Sequence, residues 1–109
     1  MSIIVDIPNL ADAVADRPWG YLLTVGPDLD VHVLAVVREY EGGVFTVHAG
    51  RTARANATAR PEVTLVFPPV GGEGRAAMSL IIDGTASLHD EHLAIEPRAA
   101  VLHRAAPAS

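Results

Sequence analysis

Short apolar segments separated by turn residues dominate residues 19–48 and constrain the fold more than any other feature. The stretches "WGYLLTVG", "VHVLAVVR" and "VFTVHAG" are rich in β-branched and aromatic residues, which are the types that strands favour. Between them, "GPDLD" and "EYEGG" supply glycine, proline and aspartate for tight turns. Because such connections are too short for a helical crossover, the three segments predict an antiparallel meander.

The segments on either side of this meander predict two short helices. In "DIPNLADAVADRP", Leu10 and Val14 lie four residues apart and a proline stands near each end, so the spacing predicts a short amphipathic N-terminal helix. Residues 52–60 are rich in alanine and stop before Pro61, which predicts a second short helix with Thr52 as its N-cap.

The second half of the chain predicts further strands. "EVTLVF" and "MSLIIDGTASLH" are strand candidates, and we expect Gly84 to mark a bulge or bend. The tail "LAIEPRAAVLHR" fits either a strand at its start or a helical turn from Pro97. The glycine-rich "PPVGGEGRAA" has no periodicity, and we expect a mobile loop.

These elements predict a mainly β chain in which about six antiparallel strands form a small barrel. One short helix precedes the barrel and another lies between strands 3 and 4. A length of 109 residues suits one domain that spans residues 1–109.

Composition narrows the function. The net charge of −5 and the scarcity of aromatic residues argue against nucleic acid as a partner, and no apolar run is long enough to span a membrane. The start "MSIIVDIPNL" lacks the basic and apolar regions of an export signal, so we expect a cytoplasmic protein. "GRTARA" lacks the glycine spacing of a P-loop, and the serines have no surrounding nucleophile motif.

The stretch "HAGRTARANATARP", from His48 to Pro61, is the most basic part of this acidic chain. It holds Arg51, Arg54 and Arg60 and no acid, so it carries +3 while the remainder carries −8. We call it the basic island. A local island on an acidic protein suits a small anion better than a polymer. Two interpretations stay open: a phosphate bound at the helix N-terminus, or arginines that face solvent on a short helix.

The stretch "HDEH", from His89 to His92, offers four metal-ligating residue types. It follows a strand as a polar turn would, and no partner cluster is visible in the sequence. We therefore expect a turn and predict no metal site.

The order of helix, three-strand meander, "HAGRTARANATARPEVTLVFPP" and then "SLIIDGTA" resembles the pyridoxamine 5′-phosphate oxidase-like, flavin-binding split-barrel family. The resemblance covers nearly the whole chain. It implies a six-stranded split barrel that forms a homodimer and binds flavin mononucleotide (FMN), or in some branches a deazaflavin coenzyme, in clefts along the subunit interface.

The family's phosphate contacts carry over unevenly. When the oxidase is aligned with this chain on Gly50 and Pro61, two of its phosphate contacts, a serine and an arginine, fall on the positions of Arg51 and Thr52. The basic residue that usually follows them falls on Ala53, and Arg54 stands one place later.

Two strand positions also depart from the family. The arginine and lysine with which the oxidase helps to hold the flavin fall on Val31 and Val36. The resemblance nonetheless implies a flavin-dependent oxidoreductase acting on a small molecule, with no catalytic residue assigned. A dimeric flavin- or ligand-binding protein without turnover is the alternative. The implied cofactor site is formed by His48, Ala49, Arg51, Thr52 and Arg54.

Overall fold

The computed structural model describes residues 1–108, and seven strands form most of it. In chain order they are β1 (Ser2–Val5), β2 (Trp19–Val25), β3 (Val31–Glu41), β4 (Val44–His48), β5 (Glu62–Phe67), β6 (Ser79–His89) and β7 (His92–His103). The two α-helices are α1 (Leu10–Val14) and α2 (Arg51–Ala59). Short 3-10 turns cover Ile7–Asn9 and Gly74–Ala77.

The strands form a closed antiparallel barrel. The order β7-β4-β3-β2-β5-β6 is closed by pairing of β7 with β6, and β1 is added to the sheet along β7. The predicted six-stranded barrel with two short helices is therefore confirmed. β1 was missed, because a four-residue segment shows too few alternating positions to identify a strand.

The ambiguous tail is a strand throughout, and Pro97 is accommodated by a bulge. Asp83 pairs with Ala99 while Gly84 pairs with Pro97, so Arg98 has no opposite residue. A Cβ on Gly84 would lie 2.7 Å from the Ile95 side chain, so only glycine fits this close approach. The expectation that Gly84 marks an irregularity is confirmed.

The core fills the barrel and lies under both helices. Leu10 and Val14 of α1 are both buried, as their four-residue spacing predicted. The largest side chains that are fully buried include Phe45, Phe67, Leu22, Leu65, Leu80, Ile82, Leu93 and Ile95. α2 packs mainly against β6 and β2, and this contact holds the basic island beside the barrel.

The glycine-rich segment between β5 and β6 is more ordered than expected. It contains the 3-10 turn Gly74–Ala77, and the N–H groups of Val70 and Gly71 both donate to the Ala76 carbonyl, at 2.8 and 2.9 Å. The side chain of Arg17 also bonds to it. The sequence did not predict this turn, because such hydrogen bonds leave no periodic signal, and the mobility of the segment stays a prediction.

The outer face of β2 and β3 is apolar wherever the two strands pair, from Val31 to Val37 of β3. The outward pairs are Trp19 with Val37, Tyr21 with Ala35, Leu23 with Val33 and Val25 with Val31. Val37 is 76% exposed and Val31 60%. We call these eight residues the outer β2–β3 face. A contiguous exposed apolar face of this kind marks an interaction surface.

Candidate functional site

The basic island begins where β4 ends. His48 is exposed, whereas Ala49 is fully buried and its N–H donates to the Glu91 carbonyl at 3.1 Å. Gly50 then takes an extended conformation and its carbonyl accepts the Arg54 N–H at 3.0 Å. The chain thus passes directly from a strand fixed in the barrel into the first turn of α2.

Gly50, and not Thr52, is the N-cap of α2. No side chain caps the helix in the part of the chain that the structure describes, and Thr52 is its second residue, exposed to solvent. The predicted cap was wrong because burial sets the phase of the helix. Ala49, Ala53 and Ala57 are spaced by four residues and all face the barrel.

The first turn of α2 presents hydrogen-bond donors outwards. The N–H groups of its first three residues have no acceptor within the helix, and they carry the positive end of its dipole. Around them stand the exposed Arg51 and Thr52, and the side chain of Arg54, which is 24% exposed. Backbone donors, a hydroxyl and two guanidinium groups are a set that binds phosphate.

The structure does not bring the whole basic island together. Arg60 follows the opposite end of α2 as its C-cap, in an extended conformation. It therefore lies roughly 9 Å along the helix axis from Arg54, at a rise of about 1.5 Å per residue.

The family position that falls on Ala53 cannot carry a charge here. The Ala53 side chain is fully buried against the barrel, so a basic side chain at this place would clash with the core. Arg54, one place later, has a side chain that is 24% exposed, with a guanidinium nitrogen 3.9 Å from Glu91.

The turn Asp90–Glu91 lies beside the first turn of α2, and sequence reasoning did not assign it there. Glu91 Oε2 is 3.5 Å from His48 Nε2, and its Oε1 is 3.9 Å from an Arg54 guanidinium nitrogen. His48 also pairs with His92, and their rings meet edge to face with centroids 5.3 Å apart. Only the register of β7 on β4 brings this turn to the site.

The predicted role of "HDEH" as a polar turn is confirmed, since His89 pairs with His92 across a two-residue hairpin. Asp90 adopts a φ of 55°, which aspartate tolerates better than most residues. Among residues 1–108, no three histidine, aspartate or glutamate side chains are placed to hold a metal ion.

Neither strand valine lies in the site. Val36 is buried within the barrel, whereas Val31 belongs to the outer β2–β3 face. Position 36 therefore serves the core, and position 31 is free to contact a partner.

A cleft lined by three aspartates and two arginines lies elsewhere, away from the basic island. It encloses about 470 Å³ between β1, α1 and the turn Gly74–Ala77, and Asp6, Asp12 and Asp16 all line it. None of its lining residues belongs to the basic island. Since the basic island contributes no residue to its lining, this cleft is not a pocket of the α2 site.

Arg17, on the wall of that cleft, has a structural role that the sequence did not reveal. It is only 3% exposed, and its terminal nitrogens donate to the carbonyls of Phe67, Pro68, Arg75 and Met78 at 2.8–3.3 Å. Burial lowers the pKa of its guanidinium, and the nearby Asp16 carboxylate partly opposes this. Arg17 thus joins both ends of the β5–β6 connection to the chain before β2.

A closed six-stranded barrel with a short helix between β4 and β5 is the split-barrel fold. Solved structures share this fold. The model matches an F420 reductase with a TM-score of 0.66 and 18% identity over 83% of this chain and 94% of that one. An FAD-binding protein from Mesorhizobium loti gives a TM-score of 0.71 with 13% identity over 94% and 96%.

A protein from Listeria innocua, assigned provisionally as a pyridoxamine 5′-phosphate oxidase, gives a TM-score of 0.69 with 14% identity over 88% and 96% of the two chains. The fold is that of the pyridoxamine 5′-phosphate oxidase-like split barrels, as the sequence resemblance predicted.

Sequence comparison finds relatives without an assigned activity. Uncharacterized proteins of Mycobacterium bovis and Mycobacterium tuberculosis are each 39% identical to this chain over 96% of its length and 84% of theirs. No protein-family model matches the chain. In the part of the chain that the structure describes, no helix is long and apolar enough to cross a membrane.

Proposed function

We propose that this protein is a cytoplasmic, homodimeric oxidoreductase that binds a phosphorylated flavin and acts on a small molecule. FMN is the first candidate and a deazaflavin coenzyme the second. One observation carries the proposal: Arg51, Thr52 and Arg54 surround the free N–H groups of the first turn of α2, in a barrel of the flavin-binding split-barrel class.

The residues present fit a phosphate. Its oxygens would accept the first-turn N–H groups and the Thr52 hydroxyl, and the two arginines would supply charge-assisted bonds. Their nearest acid, Glu91, is 70% exposed and can rotate away from Arg54. His48, at the end of β4, is exposed and would bond to the flavin ring, while the N–H of Ala49 is already used within the chain.

When bound, the flavin would supply the hydride chemistry. The chain's contribution is to hold the phosphate at α2 and to orient the ring by a bond from His48. No residue of the site needs to transfer a proton for these two tasks.

The homodimer is proposed from the outer β2–β3 face. Eight apolar residues on two neighbouring strands, with Val37 as much as 76% exposed, would be covered by a second copy. Val33→Asp should dissociate the dimer in analytical ultracentrifugation, because it places a charge in the middle of this face. Val70→Asp changes a valine that is 45% exposed at a different place and should leave the dimer intact. A monomeric wild type would contradict the dimer.

The alternative is a flavin-binding protein without turnover. It is favoured by the uncharged residues at positions 31 and 36, where the oxidase has two flavin contacts. Reduction of the bound flavin by a hydride donor, faster than that of free flavin, would favour the enzyme. Binding with no such acceleration would favour the carrier.

An absorption spectrum of the purified protein is the first test of flavin binding. Flavin released on denaturation would support the proposal, whereas colourless protein that binds neither added FMN nor a deazaflavin would overturn it.

The second test locates the phosphate. Arg51→Ala and Arg54→Ala should each weaken FMN binding roughly tenfold or more, since each removes a charge-assisted bond, and should leave riboflavin binding nearly unchanged. Arg60→Ala removes the same charge from the far end of α2 and is the matched control. Equal weakening of FMN and riboflavin by the first two variants would show that α2 does not hold the phosphate.

A further inference from the structure

The cleft between β1, α1 and the 3-10 turn before β6 has no part in the proposed flavin site, and its walls carry an excess of negative charge. We call it the acidic cleft. Asp6, Asp12 and Asp16 line it together with Arg17 and Arg75, so the net charge of its walls is −1. Its volume of about 470 Å³ lies in the range of sites that bind ligands. The acidic cleft therefore attracts a cation.

The three carboxylates of the acidic cleft are not neutralised within the chain. Both ion pairs within residues 1–108 are made by Glu91, so none involves an aspartate of the cleft. Asp6 precedes the 3-10 turn Ile7–Asn9 in the position of a cap, yet its side chain does not cap that turn. Asp12 and Asp16 lie about one helical turn apart, where like charges repel each other. A ligand with separated positive charges would relieve this repulsion.

Arg17 adds an unsatisfied hydrogen-bond donor to the wall of the acidic cleft. It is only 3% exposed, and its terminal nitrogens donate to backbone carbonyls. Its Nε–H, in contrast, has no acceptor in the part of the chain that the structure describes, and a buried donor without an acceptor costs free energy. A ligand that brings an acceptor oxygen to this wall would satisfy it. The fitting ligand thus combines positive charges with an acceptor oxygen.

β1 gives the acidic cleft a free strand edge. Among the described strands, β1 pairs only with β7. The Arg104 N–H donates to the Met1 carbonyl at 3.1 Å, and hydrogen-bonded pairs alternate from there, so Ile4 directs its own N–H and C=O away from β7. Ile4 lines the acidic cleft and is 79% exposed. An unpaired edge of this kind binds extended peptides by strand addition.

We propose that the acidic cleft binds an extended basic peptide segment of a partner protein, which adds to β1 as a strand and places its lysine or arginine side chains against the three aspartates. The backbone of the peptide supplies carbonyl oxygens for the wall at Arg17 and strand hydrogen bonds for Ile4. A polyamine would meet the aspartates alone. Among residues 1–108, no three acids are placed to hold a metal ion, so the charges fit an extended cation better than a metal ion.

The test compares three probes. One is the peptide Lys-Thr-Lys-Thr-Lys with acetylated and amidated ends, the second is the same peptide with glutamate in place of lysine, and the third is spermidine, which has the charge of the lysine peptide but no backbone. Affinities are measured by isothermal titration calorimetry at low ionic strength, where surface charges are least screened. The wild type should bind the lysine peptide about tenfold more tightly than spermidine, because only the peptide makes strand hydrogen bonds. It should not bind the glutamate peptide.

A double variant tests the role of charge. Asp12→Asn combined with Asp16→Asn should weaken the lysine peptide and spermidine alike, by roughly tenfold, since two exposed charge contacts are lost. Asp28→Asn combined with Asp30→Asn is the matched control, because it removes two carboxylates from the exposed turn between β2 and β3. The control should leave both affinities nearly unchanged.

A proline variant tests strand addition. Ile4→Pro removes the one N–H that faces the free edge, and proline is tolerated on an edge strand at such a position. It should weaken the lysine peptide about three- to tenfold, the value of one hydrogen bond, and leave spermidine binding unchanged. Ile4→Val keeps the N–H and should bind the peptide as the wild type does. A wild-type midpoint of chemical denaturation for Ile4→Pro shows that β1 is retained.

Failure of the wild type to bind the lysine peptide would overturn this inference, and so would equal weakening by the two double variants. Spermidine binding as tight as that of the lysine peptide would show that the cleft recognises charge alone, which would overturn the peptide as its ligand. The proposed flavin site shares no residue with the acidic cleft, so none of these outcomes bears on flavin binding.

Discussion

Two groups of arginines lie in different parts of this molecule and are used in opposite ways. Arg17 is 3% exposed, and four backbone carbonyls accept its terminal N–H groups. Arg51 and Arg54 stand at the first turn of α2, where the only ion pair of these two in the described chain is a 3.9 Å contact to the largely exposed Glu91. An arginine whose donors are used by the chain stabilises the fold, whereas one with donors left over can bind a ligand.

The largest effect should come from removing the buried arginine. Arg17→Met should lower the free energy of unfolding by about 3 kcal/mol or more, because it leaves several buried carbonyls without donors. Chemical denaturation measures this difference. Arg75→Ala is the matched control, since the contact of Arg75 with Arg17 is made by its backbone carbonyl. If Arg17→Met unfolds at the same denaturant concentration as the wild type, the buried arginine does not stabilise the fold more than the exposed ones do.

A smaller loss should follow when α2 is loosened from the barrel. Asn56 is 6% exposed and its amide donates to the Thr24 hydroxyl at 3.2 Å. Asn56→Ala should cost about 2 kcal/mol of unfolding free energy, since it leaves a buried hydroxyl without a partner.

The same variant tests how α2 serves the site. Because Asn56 positions the whole helix, its loss should weaken FMN and riboflavin alike, unlike the loss of Arg54. Thr58→Ala changes an exposed residue of the same helix and should alter neither the free energy of unfolding nor flavin binding. Selective loss of FMN binding in Asn56→Ala would assign this residue to the phosphate contact.

Replacing Arg38 should lower the free energy of unfolding by less than Asn56→Ala does and by more than the variants of the proposed site do. It is half-buried and donates to the carbonyls of Arg17 and Val14, at 3.0 and 2.6 Å, at the end of α1. Arg38→Ala should cost about 1 kcal/mol, because water can reach the carbonyls that it leaves. A loss as large as that of Arg17→Met, measured in the same denaturation series, would show that both arginines act as one buried network.

The smallest effect on stability should come from the arginines of the proposed site. Arg51→Ala and Arg54→Ala should each change the free energy of unfolding by less than about 0.5 kcal/mol, since the ion pair given for them, Arg54 with Glu91, is a 3.9 Å contact to a largely exposed carboxylate. The loss of FMN affinity proposed above would then occur without loss of fold. A destabilisation above about 1 kcal/mol in either variant would show that these arginines also hold α2 in place.

Much of the fold could be predicted from local patterns. Leu10 and Val14 revealed the face of α1, Pro61 set the end of α2, and Gly42 with Gly43 marked the tight turn between β3 and β4, where both take a positive φ. Each signal acts within a few residues, so the sequence displays it directly. β1 and the strand character around Pro97 depend on partners about 100 and 13 residues away, at His103 and Gly84, and could not be predicted in this way.

The candidate site likewise contains residues that the local sequence revealed and one that only strand pairing revealed. Arg51, Thr52 and Arg54 were found because they are neighbours in a stretch without acids. Glu91 was not found, because it reaches Arg54 only through the register of β7 on β4. The predicted cap Thr52 lies two positions after the observed cap Gly50, since the phase of α2 follows from burial of Ala53 and Ala57 and not from the preference of threonine for caps.

The sequence by itself determined the meander, the two helices and the position of the basic island, because turn chemistry, periodicity and charge are local properties of the chain. Only the tertiary structure decided which arginines are used by the fold and which remain free, and which acid stands beside them. Those outcomes depend on how strands far apart in sequence pair, and pairing alone decides which donors are buried and which face solvent.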